Sequence, residues 1–264
     1  MGDVELTSTS NPKIKRLIGL RERANRDREG VFLVEGPRHL NRALGAGHRA
    51  LEVYYQPGVF DPGTVPGVDA HSCSEVALSK ASYRAAHEGV IAVFEQFDQG
   101  LDRIEPGEVP LLLAAEGLEK PGNLGAILRT ADAVGADGVI AVGGPIDIFN
   151  PNVIRASTGA VFSVPVAVSD LAPALEWLAK TGIPLVAASP DSAVSLWAVD
   201  LTGPTALLVG SESAGLSQAA RDAAVQLVML PMHGTADSLN ASVTLAILAY
   251  EAIRQRSRAT QDFH

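Results

Sequence analysis

The sequence predicts an α/β protein with a parallel β-sheet in its C-terminal part. Between residues 109 and 230, short apolar runs such as 138–142 alternate with segments of helical periodicity. These runs lack the apolar–polar alternation of a strand that faces water on one side, so both faces of the sheet are expected to be covered. A polar stretch at 96–108 divides the chain, and a length of 264 residues is sufficient for two domains.

The first part of the chain is also predicted to alternate helices and strands. The elements expected from periodicity and turn residues are a helix at 11–23, a strand at 31–34, a helix at 37–44, a strand at 53–55, a Pro- and Gly-rich loop at 56–68 and a strand at 90–94. The helix at 11–23 has a basic outer side that includes Lys13, Lys15 and Arg16. Such a side is typical either of an RNA contact or of an ordinary solvated surface.

The second part shows a regular succession of elements that is typical of strand–helix–strand units. Strands are predicted at 109–115, 138–142, 164–168, 184–188, 206–209 and 227–230, and helices at 123–134, 171–180 and 241–256. We place the domain boundary in the polar stretch, which gives predicted domains at 1–100 and 107–264. The first is expected to be the smaller α/β unit.

Composition excludes several classes of protein. The single cysteine, Cys73, has no intramolecular disulfide partner, and the six histidines show no Cys/His spacing typical of metal ligands, so neither disulfides nor a metal site is predicted. The first ten residues lack the apolar core of a signal peptide, and no segment approaches the roughly 18 apolar residues of a membrane span. We therefore expect a cytoplasmic protein that does not enter membranes.

The charge is distributed unevenly along the chain. The net charge of -9 argues against a nucleic-acid partner, because phosphates are bound by lysine and arginine. Residues 1–50, however, hold ten basic and six acidic side chains, a net of +4, whereas the remainder holds eleven and twenty-four, a net of -13. The first fifth of the chain is therefore the part suited to RNA.

Three predicted strands end in glycines and polar side chains. The residues in question are Asn123 and Arg129 after the first strand, Gly210 and Glu212 after the second, and Leu230, Ser238, Leu239 and Asn240 after the third. The first segment alone is better explained by a tight turn with a helix cap, and in the third either Ser238 or Asn240 is explained by a helix cap, although the whole run is not. None contains the G-x-G-x-x-G, G-x-S-x-G or G-K-[ST] patterns of dinucleotide-binding proteins, hydrolases or phosphate loops. Because the carboxyl ends of parallel strands meet at one edge of a sheet, the three together favour a composite pocket.

In this order, the three segments resemble the three motifs of the SpoU-type (TrmH-like) branch of the SPOUT RNA methyltransferases. The resemblance rests on Asn123 with Arg129, Gly210 with Glu212, and Leu230-Pro-Met with Ser238-Leu-Asn240, and it extends to 155–165. The first domain is similar to the ribosomal-protein-like RNA-binding domain of many members, with 11–15, 34–38 and 87–92 as its markers. Arg38 ends the second of these markers and joins the expected RNA-binding residues Lys13, Lys15 and Arg16.

The resemblance implies a deep trefoil knot in the C-terminal domain, a homodimer and S-adenosylmethionine as methyl donor. The implied reaction is methylation of a ribose 2'-hydroxyl, most commonly in ribosomal RNA of the 23S type for two-domain members, which include antibiotic-resistance relatives. The implied catalytic residues are Arg129, Asn123, Glu212, Ser238 and Asn240, and the implied cofactor-binding residues are Gly210, Leu230, Leu239, Ser238 and Asn240. Arg129 is expected to come from the partner subunit, either as a base or as a stabiliser of negative charge.

Three alternatives stay open at this point. A transfer RNA ribose methyltransferase would use the same residues on another RNA. A non-catalytic RNA-binding or ribosome-assembly protein would keep the fold, and loss of any of Asn123, Arg129, Glu212 or Asn240 would have favoured it; all four are present. A nucleotide-dependent oxidoreductase would bind NAD instead of the methyl donor.

Overall fold

A computed structural model describes residues 5–83, 87–235 and 237–261 and divides the chain into two compact units. The first unit contains residues 1–97 and 147–163, and the second contains 98–146 and 164–264. The elements in chain order are α1 (Pro12–Gly19), α2 (Arg23–Glu29), β1 (Val31–Glu35), α3 (Pro37–Gly45), β2 (Ala50–Tyr55), β3 (Asp69–Ser72), α4 (Glu75–Ala81), β4 (Val90–Glu95), β5 (Leu111–Glu116), α5 (Pro121–Val134), β6 (Gly138–Val142), α6 (Pro151–Ala156), β7 (Val166–Ser169), α7 (Leu171–Thr181), β8 (Leu185–Ala188), β9 (Thr205–Val209), α8 (Gln218–Ala223), β10 (Gln226–Val228) and α9 (Ala241–Gln261).

The first unit is built on a four-stranded sheet in the order β1-β4-β2-β3. Strand β4 pairs antiparallel with both β1 and β2, whereas β2 and β3 run parallel. The strands predicted at 31–34, 53–55 and 90–94 are confirmed as parts of β1, β2 and β4. Strand β3 was not predicted because its residues, Asp69–Ser72, are mostly polar, and helix α4 was not predicted because seven residues are too few for a clear helical period.

The basic N-terminal helix is shorter than the sequence predicts. The Asn11 side chain accepts a hydrogen bond from the Lys13 backbone N–H at 2.9 Å and caps α1, which ends at Gly19. A second helix, α2, then begins at Arg23. The predicted helix at 11–23 is wrong in its C-terminal part because Arg26, only 1% exposed, donates to the carbonyls of Leu20 (2.9 Å) and Arg21 (2.6 Å). These bonds satisfy backbone groups that a continuous helix would have paired internally.

Residues 147–163 pack with the first unit, although they lie in sequence between β6 and β7 of the second. Phe149 stacks on Phe32 of β1 with ring centroids 4.8 Å apart. Asp147 forms an ion pair with the buried Arg26, and burial raises the pKa of the Asp147 carboxyl. An apolar stack and a charge pair therefore hold this segment, which contains α6, on the first unit.

The second unit contains a six-stranded sheet in the order β10-β8-β9-β5-β6-β7, and every neighbouring pair of strands is parallel. The predicted parallel sheet is thereby confirmed. Strands β6 and β9 are buried along their whole length, as their uninterrupted apolar sequences predict. In the centre of the sheet Leu113 of β5 lies opposite Leu207 of β9, and burial of each such side chain contributes about 1.5–3 kcal/mol.

Helices complete the second unit. Helix α9 packs against α5, β5 and β9, whereas α7 contacts α8 and β6. Along the described residues, no helix has both the length and the apolar character needed to cross a membrane. Because all strands run in the same direction, β5, β8, β9 and β10 end at one edge of the sheet, which is where α/β proteins place their ligands.

Candidate active site

A polar cluster joins the three predicted motifs at this edge of the sheet. The Asn123 amide in the first turn of α5 donates to Glu212 Oε1 at 3.1 Å, and the Asn240 amide before α9 donates to the same oxygen. The Asn240 amide nitrogen also lies 3.1 Å from Asn123 Oδ1. Asn123, Glu212 and Asn240 thus form one hydrogen-bonded triangle, although Asn123 and Asn240 are 117 residues apart in sequence.

Lys120 is a fourth member that the sequence did not single out. It precedes α5, and its ammonium forms an ion pair with Glu212 Oε2. The hydrogen bond from Lys120 is the main reason that the pKa of the Glu212 carboxyl lies below its usual range, and the bonds from Asn123 and Asn240 act in the same direction. The only sequence signal was a basic residue directly before the proline that opens α5, and most such residues are simply solvated.

Asn240 has two structural roles at once. Its Oδ1 accepts hydrogen bonds from the Ser242 backbone N–H at 3.0 Å and from the Ser242 hydroxyl at 2.6 Å. These bonds cap the start of α9, while the amide nitrogen faces Glu212. The helix-cap and active-site interpretations of this residue are therefore compatible, because each uses a different atom of the side chain.

A cavity of about 320 Å³ lies beside the cluster. Its wall includes four of the predicted cofactor-binding residues, namely Gly210, Leu230, Ser238 and Leu239, together with Glu212. Asn240 belongs to the polar cluster, and the residue after it, Ala241, lines the cavity. Ala236, in the segment that precedes Ser238, lies outside the described residues.

The turn after β9 leaves room only for glycine at position 210. A Cβ built on Gly210 would lie 2.2 Å from the carbonyl carbon of Gly215. Two backbone hydrogen bonds between Ser211 and Gly215, of 3.1 and 3.0 Å, close this turn, and Gly215 adopts a left-handed conformation with φ of 66°. The close approach turns the backbone of this segment toward the cavity, where a ligand can contact it.

Ser189 lines the same cavity at the end of β8 and was missed by sequence reasoning. It is 2% exposed, and within the described ranges its hydroxyl has no hydrogen-bond partner. Buried hydroxyls without a partner are uncommon in native proteins, and they often mark a place where a bound ligand or water completes the hydrogen bond. This orphaned group fits a cavity whose ligand is polar.

Arg129 lies apart from the cluster of its own chain. It is exposed on α5, and in the described part of the chain it has no hydrogen-bond or ion-pair partner. Six residues separate it from Asn123, which corresponds to a distance of about 9 Å along the helix axis. One subunit therefore brings together Asn123, Glu212 and Asn240, with Ser238 at the cavity, but not Arg129.

The four predicted RNA-binding residues all lie in the first unit, in different surroundings. Lys15 and Arg38 are exposed. The Lys13 ammonium lies 2.9 Å from His71 Nε2. Arg16 instead forms ion pairs with Glu29 at 2.7 Å and with Glu52 at 2.8 Å, so its guanidinium is engaged within the fold.

The parallel sheet, the cavity at its carboxyl edge and the amide–carboxylate cluster define a ligand-binding α/β protein. Residues 110–250 match the SpoU rRNA methylase family, and residues 11–92 match the MRM3-like substrate binding domain. A relative from Streptomyces viridochromogenes, the 23S rRNA (uridine(2479)-2'-O)-methyltransferase, is 35% identical over 90% of this chain and 87% of its own.

Solved structures agree with these matches. A crystal structure of an RNA 2'-O ribose methyltransferase is 42% identical, with a TM-score of 0.85 over 96% of this chain and 99% of its own. An S-adenosylmethionine-bound rRNA methyltransferase from Sinorhizobium meliloti is 33% identical, with a TM-score of 0.88 over 95% of this chain and 97% of its own. The chain belongs to the SpoU rRNA methylase family, and the predicted resemblance is confirmed.

Proposed function

We propose that this protein transfers the methyl group of S-adenosylmethionine to a ribose 2'-hydroxyl of ribosomal RNA of the 23S type. The observation that carries the proposal is the triangle of Asn123, Glu212 and Asn240, which unites all three family motifs beside a cavity. The names of the Streptomyces and Sinorhizobium relatives support the RNA and the cofactor. A ribosomal RNA substrate implies a cytoplasmic enzyme.

The cavity residues fit the cofactor. Backbone groups around Gly210, Leu230 and Leu239, with Ser238 beside them, would hold the cofactor. The unpartnered hydroxyl of Ser189 is a further polar group in the cavity wall that could bind it. When bound, S-adenosylmethionine supplies a methyl group made electrophilic by a positively charged sulfur. The deep trefoil knot implied by the resemblance is part of this proposal, supported by the TM-score of 0.88 with the cofactor-bound structure.

Glu212 orients the site and does not act as its base. Its two oxygens already accept hydrogen bonds from Lys120, Asn123 and Asn240, and its lowered pKa makes it a poor proton acceptor. An ionised carboxylate in this position fixes both amides, so that Asn123 and Asn240 keep one orientation. Placing the ribose hydroxyl in line with the methyl group then supplies much of the rate enhancement, and the hydroxyl proton would pass to solvent water.

Arg129 stabilises the negative charge that develops on the ribose oxygen, or binds the charged phosphate beside it. A guanidinium keeps its proton in proteins and is therefore a poor base. Its planar set of donors is suited to a phosphate or an alkoxide. Of the two roles that the sequence left open, charge stabilisation is therefore the one we propose.

A homodimer brings Arg129 to the cluster of the partner subunit. Trp197, Val243 and Tyr250 expose apolar side chains along one groove, which Ala126 and Thr130 of α5 also line. Thr130 directly follows Arg129, so a second copy seated on this face would also cover the base of the arginine. A face of this composition is typical of subunit interfaces, where aromatic side chains are enriched.

The first unit supplies the RNA contact. Lys13, Lys15 and Arg38 lie in the first fifty residues, which carry an excess of basic side chains, and this unit matches a substrate binding domain. Charges of this kind attract phosphates without reading sequence, so they position the RNA and leave the choice of nucleotide to other contacts.

The test is methyl transfer from labelled S-adenosylmethionine to deproteinised ribosomal RNA and to transfer RNA, followed by mapping of ribose methylation. We expect a single labelled ribose in 23S ribosomal RNA and loss of the signal in Arg129→Ala. Lys180→Ala, which removes another exposed cation of the second unit, is the matched control and should retain full activity. Labelling of transfer RNA alone would identify the alternative substrate, and absence of transfer to either RNA would favour the non-catalytic protein.

A further inference from the structure

The first unit carries a surface cluster that the methyl transfer does not use. It consists of Tyr83, just after α4, and of Asn152 and Arg155 on α6, and we refer to it as the Tyr83 cluster. Tyr83 is 41% exposed and Arg155 is exposed as well. An exposed aromatic ring beside an exposed arginine is an arrangement that many RNA-binding surfaces contain.

Hydrogen bonds connect the three side chains in a row. Arg155 Nη2 donates to Asn152 Oδ1 at 2.6 Å, and Asn152 Nδ2 donates to the Tyr83 hydroxyl at 2.9 Å. The Asn152 amide is thereby engaged at both ends. Asn152 consequently fixes the tyrosine ring and the guanidinium relative to each other and is a positioning residue.

The carboxylate of Glu35 fixes the backbone of Tyr83 and the side chain of the residue before it. The Tyr83 N–H donates to Glu35 Oε1 at 2.6 Å, and the hydroxyl of Ser82 donates to Glu35 Oε2 at 2.8 Å. Both oxygens of this carboxylate are therefore occupied by donors that fix the segment. An aromatic ring held at its backbone and at its hydroxyl loses little conformational freedom when a ligand stacks on it, which favours binding.

We propose that the Tyr83 cluster binds one unpaired nucleotide of the RNA substrate. The Tyr83 ring provides a stacking surface for the base, and the Arg155 guanidinium pairs with the adjacent phosphate. The proposal rests on the proposed function only in taking RNA as the ligand. Arg155 lies within residues 110–250, which match the SpoU methylase family, but it belongs to the first unit. The proposal gives this arginine a role in substrate binding.

The experiment measures RNA binding directly and does not require methyl transfer. Fluorescence anisotropy of the whole 264-residue chain is recorded with a labelled oligoadenylate of about twelve nucleotides and with a duplex RNA of the same length. Tyr83→Ala should weaken binding of the single strand about tenfold, within the range that loss of base–aromatic stacking produces, and should change duplex binding less than about twofold. Tyr83→Phe keeps the ring and should stay within about twofold of the wild type.

Arg155→Ala should lower the slope of log affinity against log salt by about 0.7, the value for one lost phosphate contact on a single strand. Arg49→Ala is the matched control, since Arg49 is an exposed arginine of the same unit, paired with Glu95 outside the cluster, and it should leave the oligoadenylate affinity unchanged. The proposal is overturned if Tyr83→Ala binds oligoadenylate as the wild type does, or if the wild type does not bind it at all. A protein that passes this test but methylates no RNA would instead contradict the proposed function.

Discussion

If Arg129 completes the site of the partner subunit, two inactive variants should restore each other in a mixed dimer. Arg129→Ala removes the guanidinium, which is exposed and so leaves no buried gap. Asn240→Asp removes the amide donor to Glu212 and Asn123 but keeps an oxygen that accepts from Ser242 at the start of α9. Each homodimer therefore has the same defect in both of its sites and should be inactive.

The expected activity of the mixed dimer follows from its symmetry. Arg129 is about 9 Å along α5 from Asn123 and points to no partner in the described part of its own chain, which is the basis for placing it in the opposite site. In the mixed dimer one site then receives both defects and the other receives neither. One of two equivalent sites is intact, so the dimer should show about half of the wild-type rate.

The assay uses co-expression with two different affinity tags, purification over both, and methyl transfer to ribosomal RNA at saturating substrate. A mixed dimer of Asn240→Asp with Lys180→Ala has one intact site whichever subunit supplies Arg129, and it defines the half-activity reference. If that reference is active while the Arg129→Ala and Asn240→Asp dimer is inactive, Arg129 acts within its own subunit. The reasoning from the exposed groove along α5 and α9 would then be wrong.

Three further predictions concern single substitutions. Asn240→Ala should lower the melting temperature by about 2–4 °C, since a lost helix cap costs about 1 kcal/mol. Asn240→Ser also loses the amide donor to Glu212 but keeps a capping oxygen, so in calorimetry it should melt above Asn240→Ala; equal losses in both would contradict the cap. Lys120→Met should raise the lowered pKa of Glu212 toward its ordinary value. Because the reaction needs the ionised carboxylate, the rate of this variant should begin to fall at a higher pH than that of the wild type when the pH is lowered. An unshifted acid limb of the pH–rate profile would refute this. Gly210→Ala places a Cβ 2.2 Å from Gly215, so S-adenosylmethionine should no longer raise its melting temperature, and a wild-type thermal shift would show that the turn adapts.

The sequence predicted the second unit well because its strands are buried on both faces. The apolar run at 138–142 coincides with β6, and the run at 206–209 differs from β9 by one residue. The first unit was harder to predict, since α1 and α2 are separated by hydrogen bonds from the buried Arg26 that no local pattern reveals. Short helices such as α6, with six residues, also give too little periodicity to be recognised.

The candidate site was predictable only as far as its motifs follow strands. Asn123, Glu212 and Asn240 each stand in a recognisable segment, and parallel strands bring these segments together. Lys120 and Ser189 belong to the site because of where neighbouring segments place them, and neither residue type nor spacing distinguishes them from surface lysines and buried serines elsewhere in the chain. Their contributions become visible only through an ion pair and an unpartnered hydroxyl.

The path of the chain has a consequence for exchanging its segments between relatives. The backbone passes from one unit to the other three times, near residues 97, 146 and 163. A recombination event that replaced the first hundred codons would therefore exchange Phe32 and Arg26 but retain Phe149 and Asp147, their partners from the later segment. A functional chimera with a relative should therefore require further junctions on both sides of residues 147–163.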